Sequence, residues 1–427
     1  MLDLKFIREN TDHVLDRLAI RGQPELAELV HSLIERDEQR RSLIKQIDGM
    51  RARRNEVSPQ VGRLKKEGRE AEAEPLVLEM RALNERMAEL EVRSREVDAE
   101  VADLLLSIPN LPAPAVPAGG EECNRVIREW GEAPKFDFEP RPHWELGEKI
   151  GILDLPRGTK IAGSGFPIYV GGGARLERSL INLMLDMHAR EHGYTELSPP
   201  FVVNPAAALG TGHLPRFGDD MYHVTGDDLY LIPTAEVPVT NLYAGEVLPP
   251  DGLPRRFVAY TPCFRREAGA HGKDTRGILR VHQFDKVELV RFERPENGPA
   301  ALEELTRHAE AVLQRLGLRY RVVLLAGGDL GFANAQTYDL EVWAPGVGKW
   351  LEVSSCSLYN EYQARRADIR FRPAPGVKPE FVATLNGSGL GLPRTLIAVL
   401  ESYQQADGSI RVPAPLVDYV GTDRIAG

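Results

Sequence analysis

The sequence predicts an α+β protein, with an antiparallel coiled-coil hairpin followed by a domain built on an antiparallel sheet flanked by helices. Two observations lead to this prediction. Between about residues 24 and 107, apolar residues recur at alternating spacings of three and four in a segment dense in charge and poor in proline. After residue 130, short apolar and β-branched runs follow one another through short turns and alternate with helical stretches.

The hairpin is predicted from two runs of apolar positions that are separated by a break at Lys66 to Gly68. Alternating spacings of three and four form the seam of coiled-coil helices. At ~1.5 Å per residue, helices of about 40 residues extend ~60 Å, farther than a core requires, so the hairpin must reach a partner. The seam positions are Leu43, Ile47, Met50, Val57, Val61 and Leu64, then Leu76, Met80, Leu83, Met87, Leu90, Val97, Val101 and Leu104.

The charge of the first hairpin helix differs from that of the whole chain. Residues 40–69 hold ten basic and three acidic side chains, whereas the chain has a net charge of −10. This local excess predicts a phosphate-binding face, although charges on a coiled coil often form only its solvated surface. The segment SIPNLPAPAVPAGGEE then interrupts the helix with proline and glycine, so we predict domains at 1–110 and 111–427.

The amino-acid composition is that of a globular protein and argues against disulfide-rich, zinc-stabilised and membrane-spanning classes. The 427 residues are 42% hydrophobic and 27% charged, which is ordinary for a globular protein of at least two structural units. Cys123, Cys263 and Cys356 lie far apart without histidines at metal-ligand spacing, which argues against a disulfide framework and a structural zinc site. No apolar run approaches the ~18 residues of a membrane span, and the first residues are charged and helix-like. We expect no membrane association and a cytoplasmic location.

The segment CFRREAGAHGKDTRGILRVHQFDKVELV contains a candidate nucleotide site. Because alternate strand residues share a face, Arg265 would lie beside Glu267, and Phe284 beside Lys286 and Glu288. Arginine binds phosphate oxygens, an aromatic ring stacks on a base, and a carboxylate accepts an amino group. The alternative of surface salt bridges would leave Phe284 exposed among charges. The sequence contains no GxGxxG or Walker-type loop, so side chains on strands must hold the nucleotide.

A second candidate phosphate site lies in LNGSGLGLPRTLIAVLE. A glycine-rich stretch there runs into a helix with Pro393 in its first turn and Arg394 next to it. The start of a helix offers free N–H groups and the positive end of the helix dipole, both of which favour phosphate. This pattern is weak alone, but together with the preceding segment it indicates a nucleotide-binding domain.

These motifs resemble those of a known family. FRRE with the returning HQFDKVE resembles motif 2 of class II aminoacyl-tRNA synthetases, and GLGLPR resembles motif 3. ARLERSLINLMLDMHAREHGYTELSPP resembles motif 1, which builds the dimer interface in that class. The hairpin, the triplet Thr234, Ala235 and Glu236, the run EVSSCS and NGSG extend the resemblance to seryl-tRNA synthetases over essentially the whole chain. The resemblance implies a homodimer that activates L-serine with ATP and transfers it to the 3′ end of tRNA(Ser), with tRNA(Sec) left open as a second acceptor.

The resemblance also implies residue roles in ATP binding. Arg265 would hold the α-phosphate, Glu267 the adenine amino group, and Phe284 would stack on the base against Arg394, which also meets the γ-phosphate. Glu352 and Ser355 would bind Mg²⁺, which requires a bulge or turn because strand residues three apart face opposite ways. The catalytic candidates are Arg265, Arg394 and Glu352. The full ATP set is Arg265, Arg266, Glu267, Val281, Phe284, Glu352, Val353, Ser354, Ser355 and Arg394.

The implied serine site combines carboxylates for the substrate ammonium with polar groups for its hydroxyl. Thr234 and Glu236 would share a face by the two-residue strand period. A pocket that hydrogen-bonds a hydroxyl rejects alanine, because its buried polar groups would be left unpaired. Near the site, His271 and His282 are weak candidates for bases, and Lys273 and Arg276 are candidates for contact with the tRNA acceptor stem. The serine set is Thr234, Ala235, Glu236, Glu288, Asn386 and Ser388.

Two other functions are compatible with parts of the sequence. One is a ligase that loads an amino acid onto a carrier protein or another small acceptor, a class that typically lacks a long basic arm. The other is a non-catalytic RNA-binding or coiled-coil scaffold, which would not need a complete set of ATP and serine residues. ATP–pyrophosphate exchange followed by tRNA charging distinguishes these functions from the synthetase.

Overall fold

The structure is a computed structural model that describes residues 1–268 and 276–427. The chain forms two compact units. The N-terminal unit comprises Leu2–Ala19 and Gln23–Pro109, and the C-terminal unit comprises Met1, Ile20–Gly22 and Asn110–Gly427. His271 and Lys273, named above as candidate site residues, lie outside the described residues. Within the described residues, no helix combines the length and the apolar character needed to cross a bilayer.

The N-terminal unit contains the predicted hairpin. Its turn occupies residues 67–69, where Gly68 adopts a φ of +72° and the N–H of Arg69 donates to the carbonyl of Leu64 at 2.9 Å. A glycine in the left-handed region is a common way to end a helix, because it lets the next N–H groups reach the last carbonyls. The helices are α1 (Leu4–Glu9), α2 (Thr11–Ala19), α3 (Glu25–Lys66) and α4 (Glu70–Ser107).

The seam between α3 and α4 follows the predicted positions closely. The fully buried members are Leu43, Ile47, Val57, Met87, Leu90, Val97 and Val101. The remaining predicted positions are half-buried. At the end of α4 the buried residue is Leu105 instead of the predicted Leu104, because the last steps of the seam, from Val97 through Val101, are four residues long.

The C-terminal unit contains the remaining elements of the described chain. Its helices are α5 (His143–Lys149), α6 (Leu155–Ala162), α7 (Gly172–Arg190), α8 (Pro205–Thr211), α9 (Glu236–Thr240), α10 (Gly298–Arg315), α11 (Tyr362–Ala367), α12 (Leu392–Ser402) and α13 (Val417–Val420). Its strands are β1 (Arg125–Trp130), β2 (Thr195–Leu197), β3 (Val202–Val203), β4 (His223–Val224), β5 (Leu229–Leu231), β6 (Val247–Leu248), β7 (Arg255–Phe264), β8 (Gln283–Glu293), β9 (Tyr320–Leu324), β10 (Gln336–Ala344), β11 (Lys349–Asn360), β12 (Arg370–Phe371), β13 (Glu380–Phe381), β14 (Ala383–Gly391), β15 (Ile410–Arg411) and β16 (Arg424–Ile425).

One large sheet organises this unit, with the strand order β1-β9-β10-β11-β14-β8-β7-β2. Its neighbours pair antiparallel, except that β2 runs parallel to β7. Side chains of α7, α10 and α12 share one apolar core with the sheet, and Val287 and Leu289 of β8 point into that core as predicted. The α+β fold class, with its coiled-coil hairpin and antiparallel catalytic sheet, is confirmed.

One strand expected from the short apolar runs after residue 130 is absent. The run FPIYV at 166–170 is not a strand, and only an isolated bridge joins Leu153 to Tyr169. The glycine-rich stretch before Pro393, for which no element was predicted, forms the interior strand β14. Glycine fits this strand because α10 packs closely on it, and a Cβ at Gly387 would lie 2.4 Å from Leu305 Cδ2.

Candidate active site

The predicted site residues surround a cavity of about 490 Å³, a volume typical of small-molecule sites. The end of β7, the starts of α9 and α12, and strands β8, β11 and β14 contribute its walls. The lining residues are His213, Thr234, Glu236, Arg265, Glu267, Leu279, Arg280, Val281, Phe284, Lys286, Glu288, Asn334, Glu352, Val353, Ser355, Ser357, Tyr359, Asn386, Ser388, Gly391, Pro393 and Arg394.

The buried part of the cavity centres on Glu288, whose side chain is 1% exposed. Lys286 Nζ lies 2.6 Å from Glu288 Oε2 and donates to Thr234 Oγ1 at 2.8 Å. From the neighbouring strand β14, Asn386 Nδ2 donates to Glu288 Oε1 at 3.0 Å, and Ser388 Oγ donates to Oε2 at 3.3 Å. The antiparallel register, which places Ser388 opposite Glu288, brings these groups together.

A second buried carboxylate, Glu236, lies on the same cavity. It accepts a hydrogen bond from Gln363 Nε2 at 2.6 Å, and its own N–H donates to Thr234 Oγ1 at 3.1 Å. Glu236 is the first residue of α9, so the prediction that Thr234 and Glu236 share a strand face was wrong. Both side chains nevertheless reach the cavity, because Thr234 lies in the turn that begins the helix.

The electrostatics of this buried part favour a cationic ligand. Burial raises the pKa of both Glu236 and Glu288, and the ammonium of Lys286 opposes that rise for each. Burial, together with the nearby cations Arg265 and Lys286, lowers the pKa of His213 to about 3, so this imidazole is neutral at pH 7. Glu288 is paired with Lys286, whereas Glu236 forms no ion pair within the described residues, so a ligand ammonium beside Glu236 would supply the missing partner.

The exposed part of the cavity begins where β7 ends at Phe264. Arg265 and Glu267 therefore lie outside the strand, and the predicted alternation does not apply to them. Glu267 has a φ of +51° and forms an ion pair with Arg280. The guanidinium carbon of Arg265 lies 5.2 Å from the centroid of the Phe284 ring, and its Nε donates to a backbone carbonyl. Phe284 shares the cavity face of β8 with Lys286, as predicted.

Arg394 takes a different position from the one that the resemblance implies. Its Nη1 donates to the backbone carbonyl of Glu352 at 2.9 Å and lies 3.3 Å from Glu352 Oε2. Its Nε donates to the carbonyl of Leu279 at 3.4 Å. In this structure Arg265 therefore lies over Phe284, while Arg394 joins β11 to the segment before β8.

The bulge required by Glu352 and Ser355 is present. The register between β10 and β11 passes from Leu340 opposite Ser354 to Glu341 opposite Glu352, so Val353 is the extra residue. As a result, Ser355 Oγ lies 3.3 Å from Glu352 Oε1.

A carboxylate that the sequence did not identify lies next to this bulge. Asp339 Oδ1 on β10 accepts from Ser355 Oγ at 2.6 Å. Burial, followed by the negative charge of Glu352, raises the pKa of Asp339 well above its ordinary value. The bulge therefore gathers a hydroxyl and two carboxylates into one oxygen-rich group.

Three predicted site residues do not line the cavity. Arg266 is exposed, Ala235 lies in an apolar core, and Ser354 Oγ donates to the carbonyl of Ser388 at 2.7 Å. His282 Nδ1 donates to the carbonyl of Arg265 at 2.9 Å, and this histidine does not line the cavity. Arg276 lies 4.9 Å above the Trp144 ring.

Several lining residues were not predicted, among them His213, Asn334, Ser357 and Tyr359. Ser357 ends the run EVSSCS but received no role, and the other three come from segments whose local sequence shows no distinctive pattern. Lys286 was placed on the correct strand face but received no role. Its two-residue spacing from Glu288 was the available signal.

Comparison with known proteins identifies the family. Residues 1–112 match the seryl-tRNA synthetase N-terminal domain, and residues 222–403 match the tRNA synthetase class II core domain (G, H, P, S and T). A serine–tRNA ligase of Carboxydothermus hydrogenoformans is 52% identical over 427 residues, covering 100% of this chain and 99% of that protein. This chain belongs to the seryl-tRNA synthetase family. The predicted class, an ATP-dependent serine–tRNA ligase, is confirmed.

Solved structures of seryl-tRNA synthetases agree with this assignment. The enzyme from Pyrococcus horikoshii, complexed with ATP, matches with a TM-score of 0.95 at 37% identity. The cytoplasmic enzyme from Naegleria fowleri, in complex with AMP, matches with a TM-score of 0.89 at 29% identity. Each comparison covers 100% of this chain and 99% of the other. The ATP bound to the Pyrococcus horikoshii enzyme supports ATP as a substrate of the family.

The architecture of β14 predicts a difference between two glycine substitutions. A Cβ at Gly389 would lie 2.7 Å from His188 Nε2, whereas a Cβ at Gly391 would have its nearest contact at 3.4 Å, with the Val353 carbonyl. We expect Gly389→Ala to lower the stability of the C-terminal unit by ~1–3 kcal/mol, because overpacking forces the strand or the histidine to move. Gly391→Ala is the matched control. Equal melting temperatures for the two variants, measured calorimetrically, would contradict this packing.

Proposed function

We propose that this cavity activates L-serine with ATP and then presents the seryl-adenylate to the 3′ end of tRNA(Ser). The observation that supports this proposal most directly is that the buried and exposed parts of one cavity carry different kinds of side chain. Its buried part holds two carboxylates, of which only Glu288 is ion-paired in the described residues, and several hydroxyl and amide groups. Its exposed part combines Arg265, Phe284 and Arg394. The first suits an amino acid and the second a nucleotide.

Serine recognition is assigned to the buried part. Glu236 and Glu288 attract the substrate ammonium, and Thr234, Asn386 and Ser388 supply partners for its hydroxyl. Because these polar groups are nearly excluded from water, alanine would leave them without a partner for one hydrogen bond. Tyr359 donates to Asn386 Oδ1 at 2.8 Å, which leaves the amide N–H₂ of Asn386 directed at Glu288.

ATP recognition is assigned to the exposed part. Arg265 binds the α-phosphate, Phe284 stacks on adenine, and Glu267 with the backbone around Val281 accepts the adenine amino group. Arg394 completes the base stack and meets the γ-phosphate. This last role requires Arg394 to leave Glu352, which is half-exposed and free to take another partner.

The group around the bulge of β11 fits Mg²⁺. Hard divalent cations prefer carboxylate and hydroxyl oxygens, and Glu352, Ser355 and Asp339 provide these within one hydrogen-bonded cluster. Two neighbouring carboxylates that repel each other's charge would be stabilised by such a cation. Glu352 and Ser355 would hold the ion, and when bound it would supply positive charge against the ATP phosphates.

The chemistry then requires positioning more than a protein nucleophile. The serine carboxylate attacks the α-phosphorus in line, the bond to the β-phosphate oxygen breaks, and pyrophosphate leaves. Arg265 stabilises charge on the α-phosphate, and Arg394 stabilises charge on the leaving group. In the second step the 3′-hydroxyl of the terminal tRNA ribose attacks the activated carbonyl and AMP leaves. The buried carboxylates hold the serine ammonium throughout both steps.

The hairpin is proposed to bind the body of the tRNA. The ten basic residues of 40–69 are not equivalent: Arg40, Arg41, Arg51, Arg53 and Arg69 form ion pairs with hairpin carboxylates. Within the described residues, the structure shows no ion pair for Lys45, Arg54, Arg63, Lys65 or Lys66. These five cations are the ones available to phosphates.

Further aspects of the proposal extend the family resemblance. We propose domains at 1–110 and 111–427, and a homodimer built on the motif 1 segment around α7. Exposed apolar residues near this segment, including Ile161, Val170 and Phe201, support a covered surface. tRNA(Sec) is a second candidate acceptor. The cytoplasm, which supplies ATP, serine and tRNA, is the proposed location.

The role of Arg265 can be tested by substitution. We expect Arg265→Ala to reduce serine-dependent ATP–pyrophosphate exchange at least ~100-fold, because Arg265 is the lining cation assigned to the charge that develops on the α-phosphate. Arg255→Ala, at the exposed opposite end of β7, should retain exchange within about twofold. Near-normal exchange by Arg265→Ala would remove this arginine from the mechanism. Exchange without tRNA charging by the wild-type protein would favour the carrier-loading ligase.

The unpaired cations of the hairpin should matter more than the paired ones. We expect the triple variant Lys45→Gln, Arg63→Gln, Lys66→Gln to lower kcat/KM for tRNA charging about tenfold or more and to reduce its salt dependence. Exchange should stay normal. The matched control removes the same charge from paired cations, at Arg51, Arg53 and Arg69. If both triples impaired charging equally, net charge and not the unpaired set would determine binding.

Serine binding should depend on pH through the buried carboxylates. Their raised pKa values mean that acidification protonates Glu236 and Glu288 above the ordinary glutamate range of about 4.3, which removes the charge that attracts the ammonium. We expect KM for serine in the exchange assay to rise as pH falls, with a midpoint above that range. KM for ATP over the same pH range is the control. If KM for serine stayed constant as the pH was lowered to the ordinary glutamate pKa, the assignment of Glu236 and Glu288 to the ammonium would be contradicted.

A further inference from the structure

Residues 279–281 line the nucleotide part of the cavity, and a side chain that does not line the cavity fixes the residue before them. Leu279, Arg280 and Val281 line the cavity, and the residue before them, Ile278, is completely buried. The N–H of Ile278 donates at 3.1 Å to Nε2 of His143, the first residue of α5. At the preceding Gly277, a Cβ would lie 2.2 Å from the same nitrogen, so only glycine permits this approach.

The hydrogen bonds determine the protonation of His143. The Ile278 N–H can only donate, so Nε2 must accept and the ring proton must lie on Nδ1. Nδ1 lies 3.0 Å from Glu401 Oε1 and donates a hydrogen bond to it. Both side chains are 0% exposed. The imidazole is therefore a neutral link between a carboxylate and one backbone amide.

Glu401 joins this link to two other walls of the cavity. Its Oε1 also accepts from the N–H of His143 at 2.9 Å, and its Oε2 accepts from the N–H groups of Gly346 and Val347 at 2.8 and 3.1 Å. Gly346 and Val347 form the turn between β10 and β11, the strands that carry Asp339, Glu352 and Ser355. Glu401 itself lies on α12, whose first turn carries Arg394.

We propose that His143 is a positioning residue for the ATP site. It fixes Leu279 to Val281 relative to Arg394 and β11 by connecting the Ile278 amide to Glu401. This inference deepens the proposed function and rests on it, since it assumes that these residues border the bound nucleotide. His143 does not line the cavity, and serine is assigned to the other part, so the link acts on ATP and not on serine.

Two substitutions separate the acceptor of His143 from its donor. His143→Asn keeps an N–H donor near the Nδ1 position but loses the acceptor for the Ile278 amide. His143→Gln places an amide oxygen near the Nε2 position and restores that acceptor. A buried N–H without a partner is costly, so His143→Asn should raise KM for ATP about tenfold in ATP–pyrophosphate exchange. KM for serine should stay within about twofold, and His143→Gln should recover most of the ATP affinity.

These measurements distinguish positioning from general loss of structure. An irreversibly unfolded fraction would lower only the apparent kcat, and reversible unfolding would raise KM for ATP and for serine alike. An unchanged KM for ATP in His143→Asn, or equal rises for ATP and serine, would overturn the proposal. Absence of serine-dependent exchange in the wild-type protein would instead contradict the proposed function.

A measurement on the wild-type protein tests the link without relying on activity. Hydrogen exchange of a peptide that contains Ile278 should be slow in the ligand-free protein, because its amide is buried and bonded to His143. In His143→Asn it should be at least about tenfold faster. Fast exchange in the wild type, or equal exchange in both proteins, would show that this amide is not held by His143.

Discussion

The need to keep Lys286 and Glu288 charged inside the sheet determines how the cavity is built. Both side chains lie on one face of β8 and are less than a tenth exposed. Burying such charges costs several kcal/mol per ion unless they are paired and their remaining hydrogen-bonding positions are filled. Thr234, Asn386 and Ser388 fill those positions from two other elements. The groups assigned to serine are thus also the groups that make the sheet interior stable.

Strand irregularities place the remaining site residues. The bulge at Val353 puts Glu352 and Ser355 on the same side of β11, and a second bulge at Gly389 interrupts β14 between Ser388 and Leu390. In a regular strand, Leu390 would share the cavity face with Ser388. The bulge instead turns Leu390 into the apolar core, where it is completely buried. The strand can therefore change from the polar Ser388 to the core residue Leu390 within one step. The extra residue, Gly389, leaves one backbone position of the ladder unpaired.

The sequence predicted those features that follow from a regular period or from a chemical requirement. The coiled-coil seam, the core-facing Val287 and the bulge at Glu352 and Ser355 belong to this group. The errors arose where tertiary packing determined the backbone. The glycines of β14 gave no strand signal because glycine is uncommon in strands, and α10 packs too closely for a side chain at Gly387. Likewise, the two-residue strand pattern could not predict the positive φ of Glu267 or the start of a helix at Glu236.

The charge of the hairpin is distributed unequally between its helices, and this distribution decides which side of the hairpin attracts phosphates. Residues 40–69 carry an excess of seven positive charges, whereas residues 70–107 hold eleven acidic and four basic side chains, an equal excess of negative charge. The hairpin over these residues is neutral, so net charge cannot attract phosphates. Packed helices lie 8–10 Å apart, close to the Debye length of ~10 Å at 0.1 M salt. A phosphate beside α3 therefore experiences the positive excess of residues 40–69 more strongly than the carboxylates of α4. Under the proposal that the hairpin binds tRNA, its α3 side is therefore the side that meets the phosphates.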